Sequence, residues 1–178
     1  MKSYVVLLRA INVGGNNKIK MSDLKQQLLN ANFTNVKTYI QSGNIILSTN
    51  LDEQQIINKI SKIIQDHFSL TISVFAITIN DLEAAINNNP FATINDPKNI
   101  YFTFFNDDIS IEKQLDLKQI DTKDEKWQII NNILYYYLPN GMSNSKLTNS
   151  FFEKKWKVLS TGRNLNTILK LNDLLNSE

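Results

Sequence analysis

The segment from Arg9 to Lys18 contains the clearest candidate for anion-binding chemistry. It reads RAINVGGNNK, so an arginine at the end of an apolar run is followed by two adjacent glycines and by a lysine ahead of a predicted helix. Adjacent glycines let successive backbone N–H groups point at one anion, and a helix N-terminus adds positive potential. The segment matches neither GxGxxG nor GxxxxGK, so it does not indicate a nucleotide-binding loop. The alternative is a turn that needs glycine for its backbone geometry alone.

Three further polar segments could contact a ligand. Amide and hydroxyl groups crowd a predicted hairpin tip in the sequence YIQSGN, and a glycine-containing segment, STGRNLN, precedes the last helix. Such residues also cap turns and helices through their own backbone, which is the structural alternative. The fourth polar segment, SNSKLT, lies at another predicted helix start. The candidate ligand contacts are Arg9, Asn12, Gly14, Gly15, Lys18, Gln41, Ser42, Asn44, Lys146, Arg163 and Asn164.

The two arginines are the strongest of these candidates. The chain uses lysine almost everywhere for its positive charge, yet Arg9 and Arg163 both lie in predicted loops that contain glycine and asparagine. Lysine suffices for solubility, whereas two-point recognition of a phosphate or carboxylate requires the planar guanidinium group. Arginines that bridge backbone carbonyls between subdomains are the alternative.

The scarce residue types exclude several kinds of catalysis. The chain has no cysteine and one histidine, His67, so thiolate chemistry, disulfides and zinc sites built from Cys and His cannot form. The GxSxG motif is absent, and SxxK occurs without its partner motifs SDN and KTG. We therefore identify no catalytic residue, no metal site and no cofactor.

The hydrophobic pattern predicts an α+β protein. Residues 4–11 form an apolar run typical of a central strand, and Asp52 with Gln55 resembles a capping box ahead of an amphipathic helix. Hairpins are predicted around Ser42-Gly43 and Asn131-Asn132. Further helices are predicted from Asn80, from about Ser145 and from about Asn164. Both halves read strand, helix, hairpin, helix, which predicts two related α+β subdomains with mainly antiparallel sheets.

Length and charge limit the possible partners. At 178 residues and a net charge of +2, the chain fits one domain or two small ones and lacks the positive charge for bulk binding of nucleic acid. No apolar run approaches the roughly 18–20 residues of a membrane span, so we expect a soluble, cytoplasmic protein.

We predict subdomains at residues 1–88 and 98–178 joined by a linker at 89–97. Basic side chains predominate in residues 1–37 and 146–163, and acidic ones in residues 96–125.

Four segments in order resemble the signature of a bacterial family, the domain of unknown function 1697. They are LLRAINVGGNNKIKMSDL, TYIQSGNIILST, SKLT and TGRNLNTILKL. The resemblance implies a two-part α+β fold with ferredoxin-like (βαββα-type) subdomains and supplies no activity or cofactor. Two positions depart from the family pattern, Ala10 in place of glycine and Leu165 in place of tryptophan. Ala10 suggests that this position does not need a backbone conformation reserved for glycine, and Leu165 weakens any proposal of an aromatic stacking on a ligand there.

These observations favour a protein that binds a small anionic or phosphorylated ligand in a cleft between the subdomains. Arg9 and Arg163 would hold anionic oxygens, with Gly14, Gly15 and Lys18 donating to the same group. One alternative is an enzyme in the same cleft, which a carboxylate or lysine with a perturbed pKa would support. Another is a protein or nucleic-acid interaction module using its sheets as a platform. The oligomeric state stays open.

Overall fold

Two four-stranded antiparallel sheets organise residues 1–177, the part of the chain that this computed structural model describes. The first sheet contains β1 (Lys2–Leu8), β2 (Thr34–Tyr39), β3 (Asn44–Thr49) and β4 (Val74–Thr78), in the order β2-β3-β1-β4. The second contains β5 (Ile100–Phe105), β6 (Lys126–Ile130), β7 (Ile133–Tyr137) and β8 (Ser160–Asn164), in the order β6-β7-β5-β8. The predicted α+β class is confirmed.

Six helices complete the described fold. They are α1 (Met21–Asn30), α2 (Glu53–Phe68), α3 (Ile79–Asn87), α4 (Ile111–Lys118), α5 (Asn149–Trp156) and α6 (Leu165–Asn176). Each half of the chain therefore runs strand, helix, strand, strand, helix, strand, helix, and the two sheets have equivalent strand orders. This is the ferredoxin-like arrangement that the family resemblance implies.

The apolar pattern explains the two cores. Residues 4–8 of β1 are all buried, because β1 lies between β3 and β4 with both of its faces covered. The isoleucines on one face of α2 pack into the same core, and the predicted capping box of Asp52 and Gln55 fixes the start of that helix. In the second sheet, Phe102, Phe104 and Phe105 are buried, as expected for core aromatics.

Three local predictions need correction. Residues 160–164 were expected to form a loop, but they form β8, which pairs with β5 along its whole length. Helix α5 begins at Asn149 with Thr148 as its N-cap rather than near Ser145, because the Ser145 hydroxyl accepts a hydrogen bond from Leu147 N at 2.9 Å and closes a turn. Helix α3 follows β4 directly, and the cap is the Thr78 hydroxyl, which accepts from Asp81 N at 3.1 Å.

The chain divides into two compact units. The first contains residues 1–83 and the C-terminal residues from Lys170 onward, and the second contains residues 84–169. Within the first unit, Lys37 Nζ donates to the carbonyls of Leu174 and Ser177, at 3.1 and 2.8 Å. Within the second, Tyr135 Oη donates to Ala85 O at 3.0 Å. The division into subdomains at 1–88 and 98–178 with a linker at 89–97 stays a prediction, and its last residue, Glu178, lies outside the described residues.

Candidate functional site

The exit of β1 is held by its neighbours on both sides. Leu8 N donates to Gly43 O at 2.8 Å, and Arg9 N donates to Ser73 O at 2.9 Å. The Arg9 backbone is thus fixed between the β2–β3 turn and the segment that leads into β4. Its side chain is half-buried at the end of the central strand.

Gly14 and Gly15 form the tip of a small hairpin. Val13 and Asn16 pair as an antiparallel bridge, and Asn12 N donates to Asn17 O at 3.2 Å. Both glycines have positive φ angles, 58° and 80°, which is the pattern of a type I′ turn. Glycine is favoured at both central positions of such a turn.

Asn12 connects this hairpin to the β2–β3 turn. Its Nδ2 donates to Ile19 O at 2.9 Å and to Gln41 O at 2.8 Å, while its Oδ1 accepts from Ile19 N at 2.9 Å. The Asn12 side chain thus closes the loop from residue 12 to residue 19 and joins it by a hydrogen bond to the β2–β3 turn. Asn12 therefore joins the loop that contains Lys18 to the turn that contains Gln41.

Most polar groups of the β2–β3 turn support the turn itself. Asn44 is completely buried, and its Nδ2 donates to Tyr39 O at 3.1 Å and to Ser42 Oγ at 3.0 Å. Gln41 is exposed. Of the three ligand contacts predicted in this turn, Gln41 is the one whose side chain faces solvent, whereas Asn44 shapes the backbone beneath it.

The remaining predicted contacts lie in the second unit. Arg163 is on the edge strand β8, where its guanidinium donates to Thr161 Oγ1 at 3.0 Å and to Gly162 O at 2.8 Å. Asn164 Oδ1 accepts from Thr167 N at 3.0 Å and therefore caps α6. Lys146 is exposed, and its Nζ donates to Asp121 O at 3.0 Å. The placement of Arg163 in a loop is wrong, since hydrogen bonding to β5 makes its segment a strand.

The backbone at Ala10 overturns the interpretation of its substitution. Ala10 has a φ angle of 53°, in the left-handed region that favours glycine. The position therefore does prefer a glycine conformation, and the chain tolerates alanine there at a cost. Periodicity gave no sign of this, but the glycine expected by the family pattern was a usable signal.

Sequence reasoning also missed Glu125, just before β6. Its Oε2 accepts from Ser145 Oγ at 3.1 Å, and it lies close enough to Lys146 to feel its charge. Burial raises the pKa of Glu125 above the ordinary 4.5, while the Ser145 hydrogen bond and the Lys146 charge act in the opposite direction. No motif marks a lone glutamate, so only its surroundings identify it.

Residues 1–177 contain neither a cluster of metal-binding side chains nor a helix suited to a membrane. No group of three or more histidine, cysteine or carboxylate side chains there could hold a metal ion. No helix in the same range is both long enough and apolar enough to cross a membrane.

Comparison with known proteins identifies a family. The chain resembles the solved structure described as "The structure of conserved bacterial protein SP0830 from Streptococcus pneumoniae", with 25% sequence identity, 98% of each chain covered and a TM-score of 0.78. Comparison with curated proteins gave no match. A family model described as "Protein of unknown function (DUF1697)" matches residues 1–135, which include the β1 exit and the β2–β3 turn but not Lys146, Arg163 or Asn164. Since this match spans most of the sequence, the chain belongs to the DUF1697 family.

Proposed function

We propose that the protein binds a small anionic or phosphorylated ligand at the β1-exit site, defined here as residues 9–19 and 40–44. Arg9 and Lys18 supply positive charge, and Gln41 supplies an exposed amide for the polar remainder of the ligand. Gly14, Gly15, Ser42 and Asn44 contribute by shaping the two turns. Asn12 holds those turns together.

Backbone strain is the observation that carries this proposal. Ala10 and Ile40 have φ angles of 53° and 49°, and both lie in the β1-exit site outside any helix cap. A residue other than glycine in the left-handed region costs on the order of 1–3 kcal/mol. A β-branched residue there, such as Ile40, is a conformational outlier. Strain of this kind persists where the surrounding structure enforces it, and it clusters at ligand-binding sites.

Asn12 makes the strained loops a preorganised surface. Its three side-chain hydrogen bonds, each between 2.8 and 2.9 Å, join two segments that are distant in sequence. A surface that is already ordered loses less conformational entropy when a ligand binds, so more of the interaction energy appears as affinity.

In the second unit we retain Lys146, Arg163 and Asn164 as proposed ligand contacts. The Arg163 side chain donates to Thr161 Oγ1 and Gly162 O of its own strand, which holds its guanidinium group beside β8. Asn164 would use its side-chain amide nitrogen, because the oxygen caps α6.

The test is ligand-dependent stabilisation in urea, with inorganic phosphate and a set of phosphorylated metabolites as probes. A probe present at about 100 times its Kd adds roughly 2.7 kcal/mol to the free energy of unfolding. We expect Lys18→Gln to reduce this gain. Lys2→Gln is the matched control, since Lys2 is exposed at the other end of β1, about 20 Å from the exit at 3.3 Å per residue.

Two results would count against the proposal. One is the absence of stabilisation by any probe. The other is an equal reduction in the Lys18→Gln and Lys2→Gln variants, which would mean that the anions respond to overall charge rather than to the β1-exit site.

A further inference from the structure

The outer strand β6 is the sheet edge with the fewest neighbouring elements in extended contact among the described residues. Among the described residues, β7 is the one element in extended contact with β6, whereas β2, β4 and β8 each also contact a helix. Strand β2 is further interrupted by a register shift between Thr34 and Lys37, with Asn35 at a φ angle of 51°. Strand β6 has a regular register, and its sequence KWQII contains no proline. Its protection as a sheet edge is limited to its short length and to the exposed Lys126, since it has neither a bulge nor a proline.

The hairpin register identifies which backbone groups of β6 face outward. Ile130 pairs with Ile133 across the two-residue turn, so its N–H and C=O face β7, as do those of Gln128 and Lys126. The bond from Phe105 N to Asn132 O, at 3.2 Å, agrees with this alternation. Asn132 immediately precedes β7 and its carbonyl faces β5, so the backbone groups of Ile133, the next residue, face β6. The N–H and C=O groups of Trp127 and Ile129 consequently point away from the sheet.

The side chains of this edge are complementary to themselves. Suppose that a second β6 pairs in antiparallel orientation, with a two-fold axis at Gln128. Trp127 then lies opposite Ile129 of the second copy, and each pair exchanges two backbone hydrogen bonds. An aromatic residue opposite a β-branched one is a favourable cross-strand pair. Lys126 faces Ile130 of the second copy, so no like charges are opposed.

From this register we propose that β6 is a self-association edge, through which two copies of this chain pair β6 with β6 in antiparallel orientation. The partner is a second copy because the two-fold register satisfies the outward N–H and C=O groups of both strands. The dimer joins the two second-unit sheets into one eight-stranded sheet. The paired strand is short, so the association is weak and depends on concentration. This surface is separate from the β1-exit site.

Sedimentation velocity of the full chain, from about 1 μM to about 1 mM, tests this association. We expect a concentration-dependent shift from monomer to dimer. Gln128→Lys places two lysines opposite each other across the two-fold axis, and we expect it to raise the dimer Kd about fivefold or more. Gln128→Glu is expected to do the same. Because Gln128 is exposed, both variants should fold.

A mixture of the two variants gives the sharpest outcome. Equal amounts of Gln128→Lys and Gln128→Glu oppose unlike charges, so the mixture should regain the association that each variant alone has lost. Lys126→Gln is the control, because Lys126 does not face its own copy in this register. A wild-type protein that stays monomeric over the whole range would overturn the proposal. So would a dimer that neither Gln128 variant weakens, since its interface would lie elsewhere.

Discussion

Ala10 illustrates how a single backbone angle can reverse the interpretation of a substitution. Its φ angle of 53° means that the methyl group is accommodated in a conformation that costs an L-residue roughly 1–2 kcal/mol. We expect relief of this strain in Ala10→Gly to increase the free energy of unfolding by about 1 kcal/mol. The greater conformational entropy of glycine in the unfolded chain reduces that gain. Urea denaturation measures this directly.

Ala31 provides the matched control for that substitution. It is also partly buried, but its φ angle is −86° at the end of α1. Glycine there relieves no strain, and the substitution should lower stability by about 0.5–1 kcal/mol. If Ala10→Gly destabilised the protein as much as Ala31→Gly, the strain at Ala10 would be refuted.

Glu125 predicts a pH dependence of stability. Folding raises the pKa of the Glu125 carboxyl above 4.5. At pH values between 4.5 and the folded pKa, this carboxyl is therefore protonated in the folded protein and ionised in the unfolded chain. Stability therefore falls as pH rises through that interval. Glu125→Gln keeps an oxygen that can accept from Ser145 and removes the titration, so the variant should gain stability relative to the wild type between about pH 4 and pH 7.

Paired urea denaturations at the two ends of this pH range measure the effect. Glu112→Gln, at an exposed glutamate of α4, controls for the loss of one surface carboxylate. A difference between wild type and Glu125→Gln that does not change with pH would contradict the assignment.

At the scale of elements, the β2–β3 turn fits against β1 because residue 43 has no side chain. A Cβ at Gly43 would lie 2.7 Å from Leu8 Cβ and 2.9 Å from Ile11, and its φ angle is +78°. We expect Gly43→Ala to lower stability by about 1–2 kcal/mol for the left-handed backbone and by a further 1–3 kcal/mol for the clash. Thermal or urea unfolding gives the total.

Gly141 separates the two contributions. Its φ angle is +76°, nearly that of Gly43, but a Cβ there has nothing within 4 Å. Gly141→Ala should therefore show the backbone cost alone. Equal losses in the two variants would mean that the turn shifts away from β1 without cost, and that its position is not fixed by this contact.

The elements that depend on local pattern were predictable, and those that depend on distant pairing were less so. The apolar run of β1, the capping box of α2 and the Asn131-Asn132 turn are encoded within a few residues, and all three are confirmed. Strand β8 was missed because the sequence STGRN is polar and contains glycine. It becomes a strand through backbone pairing with β5, about sixty residues earlier in the chain.

At the scale of the whole molecule, the last helix contributes to both units. Leu171 is fully buried in the part of α6 that belongs to the first unit, whereas Leu169, two residues earlier, is 39% exposed in the second. We expect Leu171→Ala to cost about 2–5 kcal/mol and Leu169→Ala much less. Amide hydrogen exchange should show the loss for Leu171→Ala in the first unit, including β2. A loss confined to residues 84–169 would contradict this division of the helix.

The sequence by itself determined the α+β class and the order strand, helix, hairpin, helix in each half, because apolar periodicity, capping and turn residues act over short distances. Its four signature segments identified the family, and with it the ferredoxin-like arrangement. It also directed attention to Arg9, Lys18 and Gln41. Tertiary structure decided which polar residues face solvent and which support the backbone. Asn12, Asn44 and Asn164 look alike in sequence, yet their hydrogen bonds show that they respectively join two loops, hold a turn and cap a helix. Those roles depend on which carbonyl and N–H groups the fold brings within about 3 Å of each amide, and no local pattern contains that information.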